Sequence, residues 1–389
     1  MEKAHNSNGV TQPLAATQNA RVIVGATVLG LGGIRTHLIL LLKLLRRHGV
    51  EVVVFATGAD WDAEAIASME RIGVIFKLPP VPIRKYRKLS AIYCVLAWPF
   101  MVPRRANSLY CIAPGYSQLL LHWLKPAGVL SINHEIVEAP PLRSRPGRCA
   151  SALDVSLGNS RKVSQMMQAT WPDKSIKDIP FLTSDAATPR PARGVRELDQ
   201  PLRVAYLGRL VEHKRPDQLV QRWPELTRSG ALRGGRLDVY GFDPDGKMLR
   251  DMQDFVRRSK LDDQVRICGG YGPEELSGIL AGADIVVLPS LMEGLPLVLV
   301  EAMLAGVPIV ATAAGGTEEL GIANPDAIIT SLDWSDFEAG LIAMAGKIRS
   351  GAIDPTRLHD WAESRYGYES VSQKWLACVL QPKEFFNRS

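Results

Sequence analysis

The chain has few cysteines and no pairing pattern among them. Cys94, Cys111, Cys149, Cys268 and Cys378 lie far apart with no C-x-x-C spacing. That argues against a zinc module or a disulfide framework and fits a reducing compartment. Long hydrophobic runs are missing too. The longest uncharged apolar stretch of the first half, Leu89 to Val102, has fourteen residues, too few to span a bilayer as a helix. No secretory leader is visible, because residues 1–20 are small and polar and read as a loose tail. Charge of one sign is not in great excess: 46 basic against 40 acidic residues leave +6. That balance suits an anionic ligand or a membrane surface, and no nucleic-acid-binding signature accompanies it, so nucleic acid is not expected as a partner.

What is present is a soluble composition, 46% hydrophobic and 22% charged, over 389 residues. That length allows two domains, each with its own core. Arg21 to Val28 is a β-branched run followed by a glycine-rich turn (Gly30, Gly32, Gly33), an apolar helix ending at His48-Gly49, and a second strand from Val50 to Ala56. This is a βαβ unit whose glycines let backbone approach a ligand closely. A dinucleotide fingerprint would need a third glycine, which is absent, and the acid expected after the second strand is unclear, so a nicotinamide dehydrogenase is poorly supported. Further strands are predicted at Val74–Leu78, Ser108–Ala113, Gly128–Ile132 and Asp154–Leu157, giving a doubly wound, mostly parallel sheet. His134 follows the strand at Gly128–Ile132, where it is either structural or set to meet a ligand. Arg84 to Arg105 carries basic clusters around an apolar, aromatic centre, and reads either as a helix packed on the sheet or as a membrane-surface segment.

Proline, small and charged residues dominate from Ser184 to Pro201, which reads as a linker. A second strand–turn series begins at Leu202–Leu207 and leads into Gly208-Arg209-Leu210 and Lys214, with a helix from about Pro216. Two cations at a strand end beside a helix N-terminus read either as a diphosphate clamp or as surface-loop charges with no ligand. Strands Leu237–Gly241 and Gln264–Gly270 also end in glycine, so Gly241-Phe242 and Gly270 line the same rim. Asp284 to Gly316 then reads strand, loop, helix, strand, loop, with Glu293 in the loop and Glu301 in the helix Leu297–Ala305. Two acids at that edge suit a ligand rich in hydroxyls. Tyr366 to Leu380, with Tyr368, Val371, Trp375 and Val379 on one face, forms a closing amphipathic helix.

These residues together resemble a family 4 glycosyltransferase. PSLMEGLPLVLVEAMLAGVPIVAT from Pro289 carries an E-x7-E motif, GRLVEHK at Gly208–Lys214 matches a G-R-L segment with a following lysine, and GGTEE at Gly315–Glu319 resembles a GGxxE turn. Gly32-Gly33 with His37 resembles the glycine-rich acceptor-side loop. The resemblance implies a GT-B architecture, two Rossmann-like doubly wound domains facing each other across a cleft. It places an acceptor-side domain at 21–183, a nucleotide-sugar domain at 202–365 and a C-terminal helix at 366–389 packing toward the first domain. It implies a retaining enzyme that moves a sugar from a UDP- or GDP-linked donor to a saccharide or lipid-linked acceptor, without cofactor or metal. The setting implied is cytoplasmic and peripheral to an anionic membrane. Within that resemblance, Glu301 binds the ribose and Glu293 the donor sugar. Arg209 and Lys214 bind the diphosphate, helped by the amides of Gly294, Leu295, Pro296 and Leu297, and His134 lies near the sugar. A nucleotide-sugar epimerase and a non-catalytic glycan- or nucleotide-binding module are the alternative readings.

Overall fold

The structure is a computed structural model describing residues 19–26, 32–56, 63–78, 87–112, 115–136, 144–183, 200–228 and 230–387. The polar tail, Gly30, most of the linker and the basic start of the 84–105 segment lie outside the described residues.

Two parallel sheets organise the chain. The first contains β1 (Arg21–Ala26), β2 (Glu51–Ala56), β3 (Ile75–Lys77), β4 (Ser108–Ile112), β5 (Leu130–Glu135), β6 (Val155–Gly158) and β7 (Ile176–Asp178), in the order β3-β2-β1-β4-β5-β6-β7. The second contains β8 (Arg203–Leu207), β9 (Arg236–Tyr240), β10 (Val265–Gly269), β11 (Ile285–Leu288), β12 (Ile309–Thr312) and β13 (Ala327–Thr330), ordered β10-β9-β8-β11-β12-β13. Strands such as VIVGA, IVVL and IVAT are fully buried, as expected for parallel strands covered by helices on both faces. Each order reverses direction once, between β1 and β4 and between β8 and β11. Those switch points open a crevice beyond the carboxyl ends of the strands.

The last helices tie the domains together. Helix Tyr368–Leu380 places Val371, Trp375 and Val379, all fully buried, in the core built by β1, β2 and helix Gly33–Arg47. Trp375 Nε1 donates to Pro180 O at 2.9 Å, and Ser108 Oγ donates to Val379 O at 2.6 Å. Helix Pro355–Tyr366 before it belongs to the core of the second sheet.

The segment from Arg84 contains a helix at Arg87–Met101. One face packs on the sheet, with Trp98 and Cys94 buried and Trp98 edge-on to Phe55 at 5.0 Å. The opposite face leaves Ile92, Val95, Leu96 and Phe100 exposed, Phe100 by 91%. Among the described residues no helix is long and apolar enough to cross a membrane.

Candidate active site

The carboxyl end of β8 runs into Gly208-Arg209-Leu210 and a short 3-10 turn at Glu212–Lys214. Arg215 closes that turn with left-handed backbone, φ 53°. Its side chain is buried, donating from Nε to Pro289 O and from Nη1 to Leu332 O at 3.0 Å, and its guanidinium lies 4.7 Å over Trp334. Leu291 N donates to His213 O at 2.7 Å. The loops after β8 and β11 are thereby stitched together across the switch point, which fixes where Lys214 can reach.

Lys214 Nζ forms an ion pair with Glu293 Oε1, and Ser290 Oγ donates to that same oxygen at 2.7 Å. Both ion-pair side chains are largely enclosed, at 13% and 10% exposure. Sequence reasoning gave these residues separate tasks, one on a diphosphate and one on a sugar. In the structure they neutralise each other, because two opposite charges that share a dry crevice are costly to leave unpaired. Arg209 is brought to the same rim but is exposed and makes no ion pair among the described residues.

Glu301 lies on helix Leu297–Leu304, whose apolar side chains are buried around it. It keeps a narrow opening to solvent, and burial pushes its carboxyl up to about 8. No group among the described residues donates a hydrogen bond to it. Its charge is felt at Tyr271, whose hydroxyl is raised chiefly by burial and secondarily by Glu301. Tyr271 meets Tyr240 edge-on at 6.2 Å. Glu301 is therefore an acceptor awaiting donors, beside a pair of aromatic rings at the ends of β9 and β10.

The post-strand glycines pack the rim tightly. Gly208 N donates to Tyr240 O at 3.1 Å and Gly241 N to Gly269 O at 2.7 Å. A Cβ on Gly241 would lie 1.9 Å from Gly208 O, so only glycine fits there. Gly270 faces open space, and Phe242 is 43% exposed at the same edge. An Asp-x-Asp does occur nearby, at Asp243–Asp245, but its carboxylates are occupied by backbone. Asp243 accepts from Leu249 N at 2.8 Å and Asp245 from Lys247 N at 3.0 Å.

The two domains touch across this crevice. A Cβ on Gly294 would lie 1.7 Å from Ile136 O and within 3 Å of the Asn159 carboxamide, and Gly33 stands 3.7 Å from Leu297 Cβ by the same construction. Gly315, at φ +55°, runs under Glu293 O, and Gly316 abuts Gly294 O and Ser160 Oγ. Glu319 Oε1 accepts from Lys162 N at 2.8 Å, so a carboxylate of the second domain sits at the N-terminus of helix Arg161–Thr170 of the first. Gly32, exposed at φ +133°, begins helix Gly33–Arg47. The glycine-rich loop of the first domain and the E-x7-E loop of the second are thus brought face to face.

Gly294, Leu295, Pro296 and Leu297 are all buried, Gly294 against the first domain, and Pro296 has no N–H to offer a ligand. One expectation is corrected. His134 does not stand on a loop after its strand. It lies inside β5, paired with Leu157 and Ile112 in register, and is 0% exposed. Burial lowers its imidazole to about 3, so it is neutral. Asn159 and Ser160 were missed by sequence reasoning. Both carboxamide atoms of Asn159 are buried without a partner, and Ser160 Oγ caps the following helix by accepting from Val163 N at 3.2 Å. The signal was available, since Gly-Asn-Ser directly after an apolar strand marks a strand end and an N-cap.

Residues 201–346 match the family model described as Glycosyl transferases group 1. A stretch of 216 residues is 30% identical to D-inositol 3-phosphate glycosyltransferase of Corynebacterium aurimucosum, covering 51% of this chain and 51% of that protein. The match thus spans about half the length of the curated relative. Whole-chain similarity comes from solved structures. A glycosyltransferase of Rickettsia africae superposes with TM-score 0.72 at 13% identity, over 95% of this chain and all of that one. Sucrose-phosphate synthase of Thermosynechococcus elongatus gives 0.72 at 16%, over 94% and 99%. Anabaena HepE, solved with UDP and glucose, gives 0.70 at 18%, over 94% and 100%. The chain has the GT-B fold, and its second domain carries the sequence signature of the group 1 glycosyl transferases.

Proposed function

We propose that the protein is a glycosyltransferase that takes a sugar from a nucleoside diphosphate sugar and passes it to a hydroxylated acceptor with retention of anomeric configuration. The observation that carries this reading is Glu301: an enclosed carboxyl with no donor among the described residues, on the helix that follows Glu293 at the switch point of the second sheet. Two ribose hydroxyls donating to it would supply what the fold withholds. The diphosphate displaces Glu293 from Lys214, and Arg209 joins Lys214 in stabilising charge on the departing nucleotide. Glu293, released from its ion pair and still held by Ser290, turns to the hydroxyls of the transferred sugar. This reading assigns no metal, because two cations already stand where the leaving charge develops. A UDP-linked donor is favoured by the likeness to HepE, whose structures hold UDP, glucose and UDP-glucose.

A lipid-linked or membrane-held acceptor fits the first domain. Ile92, Val95, Leu96 and Phe100 form one exposed stripe at helical spacing, Trp123 is exposed on the adjoining helix Tyr116–Leu124, and exposed Arg104 and Arg105 follow the stripe at one end. Apolar residues flanked by cations suit an anionic bilayer surface.

The test is a thermal-shift screen with UDP, GDP and their common sugars, followed by donor turnover with and without acceptor. Stabilisation by one nucleotide sugar, and slow release of its sugar to water without acceptor, are expected. Binding with no turnover under any condition would identify a binding module instead, and a product epimeric in the nucleotide sugar itself would identify an epimerase.

A further inference from the structure

The turn that follows β12 touches both domains at once. Gly315–Gly321 winds as a single 3-10 segment. Its first glycine uses left-handed backbone, φ +55°, to pass under Glu293, and no Cβ would fit between it and Glu293 O. Its second glycine is enclosed in the same way by Gly294 O on one side and Ser160 Oγ of the first domain on the other. Thr317 is buried, and Leu320 anchors the turn in the core of the second sheet. The segment is thus a shim, with the Glu293 loop against one face and the first domain against the other.

Helix Arg161–Thr170 opens toward that turn. The amides of its first turn have no partner within the helix. Ser160 Oγ takes the one at Val163, which leaves those of Arg161 and Lys162. Glu319 supplies the missing acceptor: its Oε1 accepts from Lys162 N at 2.8 Å, and the Arg161 amide also favours its charged form. A carboxylate suits the place twice over, because it meets free amides and the positive end of the helix dipole. Burial raises the Glu319 carboxyl, an effect that the two amides offset in part. Glu318, next to it, reaches the same helix differently, pairing with Lys162 Nζ at 3.2 Å across exposed surface. Such a pair is worth little. Asn159, which faces Gly294, makes no side-chain hydrogen bond among the described residues, so the polar fastening at this junction falls to Glu319.

We propose that Glu319 is a positioning residue: it docks the Gly315–Gly321 turn on the opening amides of helix Arg161–Thr170, and the docked turn holds the backbone of Glu293 in register with the first domain during sugar transfer. The transfer rests on the glycosyltransferase reading; the dock does not. Glu319 acts through Glu293, so its loss falls on the rate of the bound complex and leaves the hold on the nucleotide intact.

Two measurements on the full-length protein separate the dock from the transfer. Amide hydrogen exchange reads the dock: the Lys162 amide should be protected in the wild type, freed in Glu319→Ala, and little changed in Glu318→Ala. Free exchange at Lys162 in the wild type, or protection that survives Glu319→Ala, overturns the dock, and the first of these needs no variant to fold. Release of sugar from UDP-glucose, UDP-N-acetylglucosamine or GDP-mannose reads the transfer. Glu319→Ala should lower kcat by about 10–100-fold through misplacement of Glu293, with affinity for UDP or GDP unchanged. Glu318→Ala should stay within about 3-fold of wild type, as an exposed pair allows. Glu319→Gln keeps the volume and an acceptor oxygen but not the charge, and should fall between wild type and Glu319→Ala in both measurements. Formate should recover part of the rate in Glu319→Ala by filling the place of the lost carboxylate, where chloride at equal ionic strength should not. A rate loss no greater than that of Glu318→Ala, one that falls on nucleotide affinity, or one that formate leaves untouched overturns the positioning role. If the wild type turns over none of the three sugar nucleotides, the glycosyltransferase reading fails together with that role, and exchange at Lys162 still decides the dock.

Discussion

Glu301 predicts a coupling between proton release and ligand binding. Burial raises its carboxyl from the ordinary 4.5 to about 8, so at pH 7 most molecules hold it protonated. A carboxylate that accepts two ribose hydroxyls is favoured in its charged form. Binding must then expel a proton, and affinity for a nucleotide sugar should rise with pH by up to about tenfold per unit between pH 6 and 8, then level off. The sign for stability is the reverse. A carboxyl whose folded value lies above its unfolded value takes stability away as pH climbs from about 4.5 to about 8. Proton affinity is worth about 1.4 kcal/mol per tenfold, so the ceiling on that loss at pH 7 is about 3 kcal/mol. The opening to solvent cuts it to about 1–2 kcal/mol. Glu301→Gln should therefore bind nucleotide sugar more weakly, lose the pH slope, and unfold at higher denaturant than wild type at pH 8 but not at pH 5. Calorimetry in buffers of different ionisation enthalpy counts the proton directly. Affinity that is flat from pH 6 to 8 in the wild type, or an equal slope in Glu301→Gln, would refute the reasoning.

Lys214→Ala and Arg209→Ala should each lower turnover by about 10²–10³, because a fixed cation facing a departing diphosphate is lost; near-normal rates in both would remove the clamp. Gly294→Ala places a methyl on Ile136 O. It should cost about 10²-fold in turnover by holding the domains apart, with thermal unfolding little changed and a larger radius of gyration in solution scattering; an unchanged radius with full activity would contradict it. Flotation with vesicles of phosphatidylserine and phosphatidylcholine should carry the wild type upward, and Leu96→Ser with Phe100→Ser should reduce the bound fraction about tenfold or more. Equal flotation of both proteins would exclude the exposed stripe as the docking face.

Much of the fold was legible because parallel strands buried on both faces must be apolar and β-branched, and both sheets are built from such runs. Helix Leu297–Leu304 and the start at Pro216 were equally plain, bounded by proline and glycine. Edge strands β7 and β13 were not, since IKD and AIIT are short and only partly buried. The error at β5 has a physical cause. Its end, Asn133-His134-Glu135, reads as a loop, yet pairing with β4 and β6 keeps it extended. Glu293, Arg209 and Lys214 were legible as residues in loops after strands, and Glu301 as one on the helix that follows. The ion pair between two of them, and the approach of Asn159 and Glu319 from opposite domains, depend on how two separately folded halves meet, which no local pattern encodes.

The helix Tyr368–Leu380 has a consequence for how the chain comes into being. It completes a core whose first strand begins at Arg21, more than three hundred residues earlier. During synthesis the second sheet can assemble around its own helices while the first still lacks Trp375 and Val379, and so exposes the apolar face they will cover. Closing that gap requires a contact of very large sequence separation, which is slow to form. The first domain therefore cannot complete its core before the second has been synthesised, and until then its uncovered apolar face is where a chaperone would act.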